Sequence, residues 1–318
     1  MSKKKISVVM AVYNGEKYIA EQLQSIYDQT RKPDEVIIRD DCSTDGTYNE
    51  IASFINENQL SDSWKLFKNV NNLGWKKNFY TASQDCTGDI IFFSDQDDIW
   101  HKNKIETMSA IMEEKTADCV YSECYFIDSD GNPISKRNNK TFSGKLWKQN
   151  FSKNFNSKKT LGCRMCVSRK VINEFIELRY PKLGYDSQCG RIALLYDGIW
   201  VLESSLIDHR IHDNNSSKIS SKGEQGQSTL EKRLEDIIYS YNWIRRILPS
   251  ITSDEKTKVL RYTLKMQRNR YLYLTGNNKN WFDLIKYREY YSGAGMLIGD
   301  FAYKHKINRV MGFVADHL

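Results

Sequence analysis

Apolar positions in the first hundred residues alternate between short unbroken runs and helical stripes. Ile6-Ser7-Val8-Val9-Met10-Ala11-Val12 is rich in β-branched residues and uncharged, as befits a central parallel strand buried on both faces, and it stops at the turn signal Tyr13-Asn14-Gly15. Ile19, Leu23, Ile26 and Tyr27 then recur at helical spacing until Pro33, after which Val36-Ile37-Ile38 predicts a second strand. Ile51, Phe54 and Ile55 mark the next helix, Leu66-Phe67 a weak third strand, and the stretch from Trp75 to Cys86 a helix with a basic start. Ile90-Ile91-Phe92-Phe93-Ser94 is a further buried strand that breaks into Asp95-Gln96-Asp97-Asp98, with a helix predicted near 102–115. Later strands are expected at 118–127, at Leu161–Val167 and from Gly198 towards Arg210, and a helix opens near Tyr185. Between 134 and 157 the pattern yields only a polar loop, long for a compact domain.

Strand–helix alternation of this kind predicts an α/β domain with an open parallel sheet, whose strand ends line one crevice. Successive strands end in Tyr13-Asn14, in Asp40-Asp41 and in Asp95, Asp97 and Asp98. An acidic turn by itself is either a solvated loop or a set of hard oxygen ligands for a divalent cation shared with a phosphate. Recurrence at equivalent strand ends points to the second reading, a crevice for a cation and a phosphate-bearing ligand.

Past residue 216 the texture changes. Ser216 to Ser228 is Ser, Lys, Gly and Gln, a linker or closing loop, and helices are predicted at Leu230–Leu248, Ser253–Leu274, Trp281–Tyr291 and near 296–317. This places a domain boundary near 220, between an α/β domain at 1–220 and a helical region at 221–318. Aromatic and basic side chains interleave there, as in Tyr239, Tyr241, Trp243, Arg245 and Arg246. They suit either a helical bundle with a solvated basic face or peripheral contact with an anionic membrane. Lys and Arg outnumber Asp and Glu by 47 to 40, a net charge of +7 that favours polyanionic ligands or acidic surfaces, and no nucleic-acid recognition motif accompanies it. The seven cysteines have no ladder of fixed spacings, so reduced thiols are expected. No apolar run approaches the ~20 residues of a bilayer span, and Lys3-Lys4-Lys5 precedes only a short one, so a cytoplasmic location is expected.

The motifs Ser7-Val8-Val9-Met10-Ala11-Val12-Tyr13-Asn14, Asp40-Asp41-Cys42-Ser43-Thr44-Asp45-Gly46-Thr47, Asn72-Leu73-Gly74 with Asn78, and Asp95-Gln96-Asp97-Asp98, in this order, resemble the family 2 glycosyltransferases. These are inverting, nucleotide-sugar-dependent enzymes of GT-A (Rossmann-like) fold. The Asp-Gln-Asp-Asp-Ile-Trp wording is most similar to bacterial rhamnosyltransferases of cell-surface polysaccharide assembly. The resemblance implies that Ala11, Tyr13 and Asp41 hold a pyrimidine, Tyr13 by packing on the ring and Asp41 by accepting from its imide. It implies Asp95 at the ribose, Asp97 on Mg²⁺ or Mn²⁺, and Lys77 near the base or diphosphate; a solvated helix lysine is the other reading of Lys77. Asp208-His209-Arg210-Ile211-His212-Asp213-Asn214-Asn215 resembles the segment that closes over the diphosphate, with His212 completing the metal shell and Arg210 pairing with phosphate oxygens; a structural histidine is the other reading of His212. Gly162, in the strand on the acceptor side, would let a sugar approach closely.

Inverting transfer needs a carboxylate to take the acceptor's hydroxyl proton. Asp186 is the candidate, and a helix N-cap is its other reading. Where the family commonly shows Glu-Asp, this chain has Tyr185-Asp186. The donor implied is a dTDP- or UDP-linked sugar and the acceptor a saccharide or a lipid-linked sugar, met at the inner face of the cell membrane. Two rival classes stay open: a metal-dependent phosphohydrolase using the Asp-x-Asp strand end, and a nucleotide-sugar-binding subunit without catalysis.

Overall fold

The computed structural model describes residues 3–135, 138, 141–153, 155, 162–213, 230–277, 282–291 and 294–305. The chain divides into two compact units, Met1–Asn150 with Lys159–Ile219, and Phe151–Lys158 with Ser220–Leu318. The boundary near 220 is where the composition changes, but residues 151–158 belong to the second unit rather than the first.

The first unit is built on one sheet, which has nine strands among the described residues: β1 (Ile6–Val12), β2 (Glu35–Asp40), β3 (Trp64–Lys68), β4 (Ile90–Ser94), β5 (Ile99–Trp100), β6 (Cys119–Ile127), β7 (Leu146–Gln149), β8 (Met165–Ser168) and β9 (Ile199–Arg210). They run in the order β3-β2-β1-β4-β8-β6-β9-β5, with β7 on β9. The β3-β2-β1-β4 half is parallel, and β1 and β4, buried along nearly their whole length, form its centre. Such continuous burial is what uninterrupted apolar runs require. Helices α1 (Glu16–Tyr27), α2 (Thr47–Glu57), α3 (Trp75–Asp85), α4 (Lys104–Glu114), α5 (Arg169–Glu177) and α6 (Tyr185–Tyr196) supply the crossovers and cover.

Two strands escape the sequence pattern. β7 lies inside the stretch expected to be loop; it is a half-exposed edge strand, Leu-Trp-Lys-Gln, paired with β9 and carrying no apolar run. β5 is only two residues long and exists by pairing Ile99 and Trp100 with Asp208 and Ile207. The strand expected at Leu161–Val167 begins later, as a 3₁₀ turn at Gly162–Arg164 followed by β8.

In the second unit α7 (Leu230–Ile247) and α8 (Asp254–Leu274) are the long helices, followed by α9 (Phe282–Ile285), a 3₁₀ turn at Arg288–Tyr290 and α10 (Ala294–His305). The single helix expected at 281–291 is thus two short pieces. Residues 216–228 and the end of the last expected helix lie outside the described residues. Ile237, Tyr273, Leu274 and Leu284 form a small core. Buried Asp300 accepts from Arg270 Nε (2.7 Å) and Arg233 Nη1 (3.0 Å), a charge taken out of water only because both arginines reach it. Among the described residues no helix is long and apolar enough to cross a membrane.

Candidate active site

Parallel pairing puts the carboxyl ends of β2, β1 and β4 side by side: Val12 pairs with Asp40, and Met10 with Ser94. The segments leaving those ends are then tied together. Gln96 Oε1 accepts from Tyr13 N (2.7 Å) and its Nε2 donates to Tyr13 O (3.0 Å), so the amide acts as a two-point clasp between the first and fourth strand ends. The Tyr13 side chain is left 47% exposed, available to a ring stacked on it. Ala11 is half-buried one pleat earlier.

Asp41 is buried and works first for the protein. Its Oδ1 accepts from Leu73 N (2.7 Å) and Asn69 Nδ2 (2.8 Å), and Oδ2 from Gly74 N (2.8 Å). Gly74 precedes α3 at φ +75°, a conformation that favours glycine, and the Asp41 carboxylate sits where unpaired amides at a helix start favour negative charge. Lys77 stands exposed in the first turn of the same helix.

The acidic loop after β4 meets the end of β9. Asp97 Oδ2 lies 2.8 Å from His212 Nε2, and Asp98 Oδ1 lies 2.7 Å from His209 Nδ1 and accepts from Arg210 N. Burial works against the Asp98 charge, yet the His209 imidazolium and its hydrogen bond hold that carboxyl below its usual range. The same pairing, against its own desolvation, pushes His209 up to about 9. Asp95 has no hydrogen-bonded cation among the described residues: desolvation, then the charges of Asp98 and Asp97, outweigh the more distant His209 and push it up to about 8. A shortage of positive charge between carboxylates is what a divalent cation makes good, and carboxylate oxygens with one imidazole suit Mn²⁺ or Mg²⁺. Asp97 and His212 therefore fit the metal role expected of them.

Arg210 is placed differently from the expectation. Its side chain is buried, Nε donates to Asp97 O (2.9 Å), Nη1 to the carbonyls of Asp128 and Ser129, and Nη2 pairs with Glu21. The guanidinium fork binds the protein's own backbone around the acidic loop. In this arrangement Arg210 positions Asp97 rather than pairing with a phosphate.

Asp186 lies in the first turn of α6, after Gly184. A Cβ on Gly184 would meet Asp186 Oδ1 at 2.5 Å and the Trp75 ring at 2.7 Å, so the start of α3, which Asp41 holds, and the Asp186 carboxylate close on the same spot. Burial raises the Asp186 proton affinity above that of an ordinary aspartate. Tyr185 is buried with its ring 4.1 Å from that of Phe79 and 4.3 Å from that of Phe93, and burial pushes its phenol well up. A Cβ on Gly162 would fall 1.9 Å from the Tyr185 hydroxyl. Gly162 thus makes room for that phenol, not for a sugar. The resulting anchor fixes the first turn of α6 against β4.

Asp95 thus feels the charges of Asp97 and Asp186, His212 is bonded to Asp97, and Asp41 holds the start of α3, whose Trp75 shares a spot with Asp186. Sequence reasoning counted Asp98 in the acidic strand end without seeing its pairing with His209, and gave no role to Gln96, His209 or the buried Tyr185. Gln96 and Asp98 stood inside a motif already quoted, but nothing local says that an amide will reach back to the first strand end.

A family model, glycosyl transferase family 2, matches residues 7–176, more than half of the chain. The chain belongs to glycosyl transferase family 2. Among family members, the uncharacterized glycosyltransferase MJ1057 of Methanocaldococcus jannaschii is 32% identical over 73% of this chain and 80% of its own length. The dTDP-rhamnosyl transferase RfbG of Shigella flexneri is 38% identical over 42% of this chain, and the match spans 47% of that protein, so this chain accounts for about half of it. The structure of S. aureus TarS 1–349 in complex with UDP superposes with a TM-score of 0.61 at 19% identity, covering 95% of this chain and 88% of that one, a likeness of fold. The GT-A architecture and the transferase family expected from the sequence are thus established.

Proposed function

We propose that this family 2 protein transfers a sugar, with inversion, from a nucleoside-diphosphate donor to a saccharide or lipid-linked acceptor of cell-surface polysaccharide. The observation that carries the reading is the approach of Asp95, Asp97 and His212 to a half-buried Asp186 of raised proton affinity. Tyr13 would pack on the pyrimidine, with Ala11 and Asp41 beside it, Asp95 would face the ribose and Lys77 the diphosphate. Asp97 and His212 would hold Mg²⁺ or Mn²⁺, which when bound neutralises charge on the diphosphate leaving group. Asp186 takes the acceptor proton while the nucleotide leaves from the opposite face of the sugar. RfbG's name supports dTDP-rhamnose as donor, and the UDP complex of TarS supports a UDP-sugar.

Thermal-shift screening of dTDP- and UDP-sugars with and without Mn²⁺ tests this. A ligand at one hundred times its Kd stabilises the native state by about 2.7 kcal/mol, and only the true donor class should do so in a Mn²⁺-dependent way. Phosphate release from simple esters without an acceptor would instead support the phosphohydrolase. Tight nucleotide-sugar binding with neither transfer nor hydrolysis, unchanged by Asp186→Asn, would support a binding subunit.

For location we propose contact with an anionic membrane face. Lys258, Arg261, Lys265 and Arg268 are exposed at helical spacing on α8, beside an open hollow of about 430 Å³ that Asp254, Thr257 and Tyr262 also line. Like charges three and four apart on a helix repel, and an acidic surface relieves them. Co-flotation with vesicles containing phosphatidylserine is expected, and K258E/R261E/K265E should abolish it; flotation unaffected by these changes overturns the assignment to α8.

A further inference from the structure

Directly behind Asp97 lies a second group of donors that the transfer chemistry does not use. Asp98, Cys163 and His209 present a carboxylate oxygen, Sγ and Nδ1 that all lie within 4.8 Å of one another. The sulfur is 3.8 Å from His209 Nδ1, and Nδ1 is 2.7 Å from Asp98 Oδ1. Bond lengths of about 2.3 Å to sulfur and about 2.0 Å to nitrogen at a tetrahedral ion put the two donors about 3.6 Å apart. The thiol and imidazole therefore already stand near ligand spacing. Asp98 Oδ2 is buried and has no hydrogen-bond partner among the described residues, which leaves a carboxylate oxygen ready to ligate.

A thiolate and a carboxylate among the ligands offset the charge of a divalent ion, so a site built from these three donors is charge-balanced when filled. A thiolate with one imidazole and one carboxylate selects soft or borderline ions over Mg²⁺.

We propose that Asp98, Cys163 and His209 form a second, soft-metal site for a Zn²⁺-class ion, separate from the hard-ion position at Asp97 and His212. Occupancy breaks the Asp98–His209 bond next to Asp97 and thereby inhibits the Mn²⁺-supported reaction.

Cobalt(II) is the probe. Titrated into the intact protein under reducing conditions, it is expected to give a near-ultraviolet thiolate-to-cobalt absorption band, which C163S removes and D97N keeps. Zn²⁺ retained after gel filtration should fall by about one equivalent in C163S. Absence of the band in the native protein, or its survival in C163S, overturns the site. Should C163S fail to fold, X-ray absorption of the zinc-loaded native protein decides: a sulfur ligand at about 2.3 Å supports the site, and a shell of nitrogen and oxygen alone overturns it. None of these readouts involves a nucleotide sugar, so their failure is distinguishable from failure of the proposed transferase activity.

Discussion

Asp186→Asn is expected to lower the rate of sugar transfer by about 10²- to 10⁴-fold, the usual contribution of a positioned general base, while leaving nucleotide-sugar binding almost unchanged. The amide keeps the size of the side chain in the first turn of α6 but cannot take a proton. The measurement that separates catalysis from structure is the melting temperature. Because burial raises the Asp186 carboxyl above the usual value of 3.8, the folded state binds its proton more tightly than the unfolded state does, and stability from this group falls as pH rises through that window. At neutral pH the ionised form weighs against folding, so the Asn variant should melt no lower than the parent. The pH profile carries the same sign: activity should climb as pH rises through the raised value, and this limb should vanish in the variant. Transfer within about tenfold of the parent would remove Asp186 from the base role.

Asp98→Ala is expected to have the largest effect on stability. It removes the partner that keeps His209 protonated, and because the imidazole can shed its proton the cost is that of a lost charge-assisted hydrogen bond and an unsatisfied ring nitrogen, about 1.5–3 kcal/mol. Chemical denaturation at neutral pH reads it directly; a loss under about 1 kcal/mol would mean that the pair contributes no more than a surface bridge. The pH dependence has two limbs. His209 is raised from 6.5 to about 9, so its contribution is complete below pH 6.5 and is lost as pH rises through about 9. Asp98 is depressed, so its contribution is present above 3.8 and is lost as pH falls through its folded value. The parent should therefore hold a plateau between those limbs that Asp98→Ala lacks.

Comparison of the elements shows what kinds of information are local. Strands β1 and β4 are legible because burial on both faces demands an unbroken apolar run, and α1 and α2 because one buried face demands helical spacing. β5 and β7 are not, since each is held by pairing with β9, fifty or more residues further along. The same division runs through the site. Asp95, Asp97 and Asp186 could be picked out by residue type and motif order, but the raised proton affinities of Asp95 and Asp186 come from burial and neighbours that the fold supplies. Arg210 illustrates the limit: a motif marks an arginine as important without saying whether its fork meets a phosphate or the carbonyls of Asp128 and Ser129.

By itself the amino-acid sequence determined the alternation of strands and helices, the acidic strand ends and the family, because each depends on residue type at short, regular spacing. Tertiary structure alone decided that Gln96 clasps Tyr13, that Gly162 makes room for Tyr185 and that His209 neutralises Asp98. These are contacts across 83, 23 and 111 positions of chain. No local pattern encodes them, for a side chain's partner at that range is selected by how the sheet and its covering helices pack, and only the folded chain contains that information.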